Sequence, residues 1–180
     1  AYKKNKIINI VMQAFNCEVV LDAANEAGCK VYLLDIKIED FSVSKKSVEK
    51  LINTKQVDVL LLTHYQGIPN NEYEDIIKLC KDNDVIVIED LSQTYGSTIN
   101  NIKVGSLGDV NLFSFAFDKP FTCLQGGMLE ICKGIEYSFP KKYEKLKSED
   151  FQNTLLDLSI LKFLYKYSKD EFYNPYVDNT

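Results

Sequence analysis

The stretch Val85-Ile-Val-Ile-Glu89-Asp90 is a run of four β-branched residues that ends in two carboxylates. Short, continuous apolar runs of β-branched residues are typical of strands buried on both faces of a parallel sheet. In such sheets, functional side chains are usually presented at the carboxyl ends of the strands. The stretch therefore predicts a buried strand with an acid at its functional end. The simpler interpretation is that Asp90 caps the turn that follows.

Similar apolar runs recur along the chain, and helical patterns lie between several of them. The predicted strands are Ile7–Met12, Lys30–Ile36, Val57–Thr63, Val85–Glu89, Asn111–Phe115 and Met128–Cys132, and the predicted helices are Val19–Ala27, Ser44–Asn53 and Glu72–Asp82. The second helix begins with the pattern of a capped N-terminus at Ser44. This alternation indicates an α/β fold, a mostly parallel sheet with helices on both faces that binds ligands beyond the carboxyl ends of its strands.

Composition limits the possible classes of protein. The chain has 180 residues, 46% hydrophobic and 26% charged, which is typical of a globular domain with a substantial core. A net charge of −5 argues against a nucleic-acid-binding surface. From about residue 136 the sequence becomes rich in Lys and Tyr, with an amphipathic stretch at Leu155–Tyr167. We therefore expect a core at 1–135 and a helical segment at 136–180.

The cysteines and the start of the chain indicate the cellular compartment of the protein. Five scattered cysteines without CxxC or metal-ligand spacing indicate reduced thiols and no metal site. No apolar run approaches the ~20 residues of a membrane helix, and the start lacks a signal-peptide segment. These features predict a cytoplasmic protein that does not enter membranes. The lack of an initiator Met and the early strand suggest that an N-terminal part is missing.

A lysine candidate for covalent chemistry follows the fifth predicted strand. Lys119 lies in Phe117-Asp118-Lys119-Pro120, just past the strand end and between aromatic residues. Desolvation or a neighbouring charge can lower the pKa of such a lysine and make it a Schiff-base nucleophile. On its own the candidate is weak, because most lysines are solvated surface groups.

Two further features have equally good structural explanations. Gly126 and Gly127 permit backbone conformations closed to other residues and a close approach to a ligand, but a tight turn explains them equally well. His64, the only histidine, follows the third predicted strand, where a general base could lie. A structural hydrogen-bonding role is the more common one.

The order of these motifs resembles the DegT/DnrJ/EryC1/StrS aminotransferases, which modify nucleotide-linked sugars. The matching stretches cover residues 7–132: Val11–Asn16, Ala27–Asp35, His64–Gly67, Val87–Gly96, Lys103–Asp109, Phe113–Phe115 with Lys119 five residues beyond Ser114, and Gly126-Gly127. Several ordered motifs with matching spacing are far more specific than any single one. The resemblance implies the three-layer large domain of aminotransferase type I, a pyridoxal-phosphate-dependent fold.

The resemblance also implies a role for each of four residues. Lys119 matches the lysine that forms a Schiff base with pyridoxal 5'-phosphate and then moves the proton. Asp90 matches the carboxylate that pairs with the protonated pyridine nitrogen. Gln93 matches a side chain against the cofactor near its phenolic oxygen, and Ser114 matches a hydroxyl that binds the cofactor phosphate.

The chain departs from the family pattern at several points. Cys17 stands where the family usually has an aromatic residue stacked on the pyridine ring, with Phe15 two positions earlier. Gln125 stands where an acid is common. The upstream Gly-Thr-type phosphate site and the smaller C-terminal domain are not recognisable in the chain.

The function implied by the resemblance is transfer of an amino group, with glutamate as the expected donor, to a nucleotide-linked keto-sugar. This reaction would serve cell-surface polysaccharide or other amino-sugar biosynthesis, and the protein would be a homodimer. The dehydratase branch of the family carries a histidine at the lysine position, so Lys119 argues against it. A non-catalytic homologue that binds sugar or a partner remains the alternative. A dinucleotide-binding dehydrogenase is rejected because no GxGxxG follows a strand.

Overall fold

The structure is a computed structural model that describes residues 7–132. Its main sheet has six strands in the order β2-β1-β3-β4-β7-β8: β1 (Asn9–Gln13), β2 (Lys30–Leu34), β3 (Val59–Thr63), β4 (Ile86–Asp90), β7 (Val110–Ser114) and β8 (Gly127–Ile131). The first five are parallel and β8 is antiparallel to β7. The predicted α/β class and mostly parallel sheet are confirmed.

Three helices connect the parallel strands. They are α1 (Glu18–Glu26), α2 (Lys45–Thr54) and α3 (Tyr73–Asp82). The predicted capped start of α2 is confirmed, because the Ser44 hydroxyl accepts the Ser47 N–H at 3.2 Å. The start of α1 differs, since Cys17 occupies the N-cap without a side-chain hydrogen bond.

The helices lie on both faces of the sheet, as the alternating pattern predicts. Helices α2 and α3 cover one face, with a core that includes Val48, Leu60, Leu62, Ile76 and Val87. Helix α1 covers the other face, with a core of Ile10, Met12, Ala24 and Leu61. Each face buries alternate residues of the same strands, which is why those strands read as continuous apolar runs.

A small hairpin between β4 and β7 was not predicted. It consists of β5 (Thr98–Ile99) and β6 (Ile102–Lys103), joined by Asn100 and Asn101. Both asparagines have positive φ, 50° and 64°, as the central residues of a type I′ turn require. Two-residue strands are too short to produce a periodic pattern, so the sequence gives little warning of them.

The predicted helical segment at 136–180 lies outside the described residues. Among the helices of residues 7–132, none has the length and apolar content needed to cross a bilayer. In a parallel sheet, ligands are expected beyond the carboxyl ends of the strands, which here are the ends of β1, β3, β4 and β7.

Candidate functional site

Alternation along β4 directs its two terminal carboxylates to opposite faces of the sheet. Val87 belongs to the core beneath α2 and α3, and Ile88 packs against the core beneath α1. Successive strand residues point to opposite faces, so Glu89 points toward α2 and α3 and Asp90 toward the α1 side. The two acids therefore lie in different environments.

Asp90 shares its face and its edge of the sheet with other polar side chains. It pairs in register with Thr63 of β3 and with Leu112 of β7, and Ser114 lies two residues beyond Leu112 on the same face. The Asn16 amide donates to the Thr63 hydroxyl at 3.0 Å. The loop after β1 and the ends of β3, β4 and β7 thus form one polar edge.

Asp90 is 5% exposed and caps its own turn. Its Oδ1 accepts the Ser92 N–H at 3.0 Å, and its carbonyl oxygen accepts the His64 N–H at 3.3 Å. The simple capping role expected from the sequence is therefore present. Among the described residues no lysine or histidine forms an ion pair with the Asp90 carboxylate.

Gln93 joins the loop after β4 to the loop after β3. Its Oε1 accepts the N–H of Gln66, a residue held in the left-handed region with φ 50°. Beside it, the Thr94 hydroxyl donates to the His64 carbonyl oxygen. Gln93 is partly buried and is fixed in orientation by this contact.

Lys119 lies in the connection between β7 and β8. Its N–H donates to the Ala116 carbonyl oxygen at 3.1 Å, and its ammonium pairs with the Asp118 carboxylate at 2.9 Å. The hydrogen bond from Lys119 holds the pKa of Asp118 below its usual value. The structure thus places Lys119 five residues after Ser114, with Asp118 rather than Asp90 as its ion-pair partner.

The paired glycines have a clear structural role in this connection. Gly127 pairs with Ser114, and a Cβ on Gly127 would lie 2.7 Å from the Phe113 carbonyl oxygen. Gly126 has φ 101°, and its carbonyl oxygen accepts the Phe115 N–H at 2.9 Å. The hairpin that carries Lys119 requires both glycines.

The two positions considered for ring stacking have different surroundings. Cys17 is exposed at the N-cap of α1. Phe15 is 48% exposed and packs against Tyr65 and Phe41, with ring centroids 5.0 and 6.1 Å away. We call Phe15, Phe41 and Tyr65 the aromatic cluster. Its members come from three separate loops, so sequence spacing does not reveal it.

A second polar group lies on the opposite face and centres on Glu89. The Glu89 side chain is fully buried and accepts hydrogen bonds from the Tyr73 hydroxyl and from the N–H groups of Gly105 and Gly108. Burial, and secondly the Glu89 charge, raise the pKa of Tyr73. His64 is fully buried beside Glu89, consistent with a structural role. Sequence reasoning did not identify Tyr73, because only the folded chain brings it to β4.

Comparison with known proteins identifies the family. Residues 3–134 match the model of the DegT/DnrJ/EryC1/StrS aminotransferase family. The chain is 33% identical over 59% of its length to a UDP-4-amino-4,6-dideoxy-N-acetyl-beta-L-altrosamine transaminase of Campylobacter jejuni, and this match covers 28% of the relative.

Solved structures agree with this match. PseC of Helicobacter pylori, an aminotransferase of pseudaminic acid biosynthesis, aligns with a TM-score of 0.65 and 27% identity over 72% of this chain and 34% of PseC. A GDP-4-keto-6-deoxymannose-3-dehydratase with a trapped PLP-glutamate geminal diamine aligns with a TM-score of 0.63 and 26% identity, over 69% of this chain and 32% of the dehydratase. The chain thus spans about a third of the length of these relatives.

These alignments confirm the aminotransferase type I fold. The polar edge at the ends of β3, β4 and β7 lies within the part of the chain that matches the family model. By this match, the chain belongs to the DegT/DnrJ/EryC1/StrS aminotransferase family.

Proposed function

We propose that the intact protein transfers an amino group from an amino acid, with glutamate as the expected donor, to a keto-sugar attached to a nucleotide. The single observation that carries this proposal is the placement of Asp90. It is a buried acid at the carboxyl end of a central parallel strand, with Ser114 on the same face of the neighbouring strand and Lys119 five residues beyond. Family membership supports the same activity.

The residues at this edge fit pyridoxal phosphate. Buried charges in proteins are normally paired, and no lysine or histidine of the described residues pairs with Asp90. A protonated pyridine nitrogen would supply the missing cation. Ser114 offers a hydroxyl to a phosphate, and Lys119 offers an amine to an aldehyde. Donor types and positions therefore suit the cofactor.

Each residue would contribute one task. When bound, pyridoxal phosphate supplies an electron sink for the carbanion that forms at the amino-bearing carbon. Asp90 would hold a proton on the ring nitrogen, and Ser114 would bind the phosphate oxygens. Gln93 would lie near the phenolic oxygen. Lys119 would hold the cofactor and act as base and acid in turn, after its ammonium has left Asp118 and lost a proton.

The assembly and location of the intact protein belong to the same proposal. Membership of the family supports a cytoplasmic homodimer with active sites near the subunit interface. Sedimentation of the intact protein should therefore give the mass of a dimer. A fully active monomer would contradict this part of the proposal.

The deciding experiment traps the cofactor on the protein. The intact protein should gain a visible absorption band on mixing with pyridoxal phosphate, and borohydride reduction should leave a covalent adduct that peptide mapping places on Lys119. Lys119→Ala should abolish the adduct and transamination. Lys103→Ala, at an exposed lysine of β6, should change neither.

Other results would point elsewhere. An adduct on a different lysine would overturn the assignment of Lys119. A protein that gains no band would favour the non-catalytic alternative, which draws its support from the N-cap position of Cys17 and from Gln125 in place of an acid.

A further inference from the structure

The Glu89 carboxylate is fully buried and accepts three hydrogen bonds from the protein. Its Oε2 accepts the Gly105 N–H at 2.8 Å, and its Oε1 accepts the Gly108 N–H. The Tyr73 hydroxyl also donates to Oε1, at 2.9 Å. These donors come from α3 and from the loop before β7, so Glu89 joins both to the end of β4.

His64 connects this buried carboxylate to the loop after β3. Its Nδ1 accepts the Asn70 N–H at 3.2 Å and therefore carries no proton, so the ring proton lies on Nε2. Nε2 lies 3.4 Å from Glu89 Oε2. At this distance Nε2 makes no well-aligned hydrogen bond to the carboxylate. The ring is thus oriented by Asn70 and faces the Glu89 charge.

The backbone of His64 bonds to the segment that carries Asp90 and Thr94. Its N–H donates to the Asp90 carbonyl oxygen at 3.3 Å, and its carbonyl oxygen accepts the Thr94 hydroxyl. Two residues later, the Gln66 N–H is bound by Gln93. A chain of contacts therefore runs from Glu89 on one face to Asp90 and Gln93 at the proposed site.

We propose that Glu89 is a positioning residue for the transamination site, which sets the orientation of Asp90 and Gln93 from the opposite face of the sheet. This inference rests on the proposed function. Glu89 and Asp90 are consecutive, so immobilising one side chain fixes the peptide that carries the other. Glu89 does not itself reach the Asp90 face, since the strand directs it toward α2 and α3.

Glu89→Gln is the informative variant, because both carboxylate oxygens accept a backbone N–H. In either orientation of the amide, its NH₂ group would face the N–H of Gly105 or Gly108. Tyr73→Phe is the milder variant, since it leaves both glycine bonds to Glu89 and removes only the hydroxyl, which donates to Glu89 Oε1 and accepts the Leu107 N–H at 3.2 Å. Glu49→Gln, at an exposed position of α2, is the matched control.

Four quantities should be measured on the intact protein: kcat and KM for transamination, the affinity for pyridoxal phosphate, and amide hydrogen exchange without cofactor. In Glu89→Gln we expect kcat to fall by about 10- to 100-fold, because small displacements of catalytic groups are enough for such losses. KM and cofactor affinity should be unchanged. Exchange should accelerate at residues 64–67 and 91–94. Tyr73→Phe should give the same pattern to a smaller degree, and Glu49→Gln none of it.

The negative outcomes are distinct. An unchanged kcat in Glu89→Gln would overturn the inference, and so would a parallel loss of kcat, cofactor affinity and global stability in both variants, which would show a role in folding alone. Failure of the proposed function would appear in the unsubstituted protein, as absence of cofactor binding. The positioning role would then fall with it, whereas a failure confined to the variants would leave the proposed function intact.

Discussion

Gln93 Oε1 accepts the Gln66 N–H at 2.8 Å, so a side chain of the loop after β4 closes the loop after β3. The same side chain is proposed to lie against the cofactor. It is held in place by the protein itself, which reduces the conformational freedom to be lost on binding.

Replacing Gln93 should show how much its contact with the Gln66 N–H contributes to stability. Gln93→Ala removes the acceptor and should lower the free energy of unfolding by about 1 kcal/mol, whereas Gln93→Glu keeps an acceptor and should retain stability. Denaturant unfolding of the intact protein measures both. Gln56→Ala, at an exposed position, is the control. A Gln93→Ala variant as stable as the unsubstituted protein would show that the bond contributes nothing.

Asp90→Asn should leave pyridoxal phosphate bound and lower transamination by about 100-fold or more, the loss typical of removing one pre-organised electrostatic partner. The physical reason is that a neutral amide cannot keep the ring nitrogen protonated. Steady-state rates with an absorption titration of the cofactor provide the measurement. Undiminished turnover would remove Asp90 from the mechanism.

The parallel strands were predictable because strands buried on both faces have continuous apolar sequences, and the helices because their apolar residues recur at three- and four-residue spacing. The placement of Asp90 followed from the rule for parallel strands, since Val85–Asp90 ends at the polar edge. The Glu89 group was not predictable, because its donors come from Tyr73, Gly105 and Gly108 and meet only in the folded chain. The pairing of Lys119 with its neighbour Asp118 depends on rotamers that spacing does not define.

Stability should depend on pH through Asp40, which is 4% exposed. Burial opposes its ionisation, but hydrogen bonds from Ser42, Asn71 and Lys37 outweigh burial and hold the pKa of Asp40 below its ordinary value of 3.8. A lowered folded-state pKa means that the stabilisation is fully present above pH 3.8 and is lost as the pH falls through the folded-state pKa.

Asp40→Asn should therefore destabilise the protein near neutral pH, by about 1–3 kcal/mol. The difference from the unsubstituted protein should shrink as the pH falls below the ordinary pKa of Asp40. Unfolding curves at several pH values measure this. Asp22→Asn, at an exposed position of α1, should show neither effect. A difference that grows in acid would contradict the expected sign.

Substitutions of Phe15 and of Cys17 should change the stability of the protein to different degrees. Phe15→Ala removes a ring from the aromatic cluster and should lower the free energy of unfolding by about 1 kcal/mol, in the range of aromatic pair contributions. Cys17→Ala removes an exposed side chain that makes no capping bond and should have little effect. Thermal unfolding measures both. A Phe15→Ala variant as stable as the unsubstituted protein would indicate that the aromatic cluster adds nothing to stability.

Contacts on both faces of the sheet together fix the number of residues in strand β4. Inserting or deleting one residue between Ile86 and Glu89 would turn both carboxylates to the other face, so that Asp90 pointed toward the glycine N–H groups and Glu89 toward the proposed cofactor side. Asp90 has one methylene fewer than Glu89, so neither side chain would place its carboxylate where the other does. Changes in chain length during evolution should therefore be excluded from this strand and accumulate in connections such as the hairpin at 98–103. The number of residues in this segment is thus constrained together with the identity of its two acids.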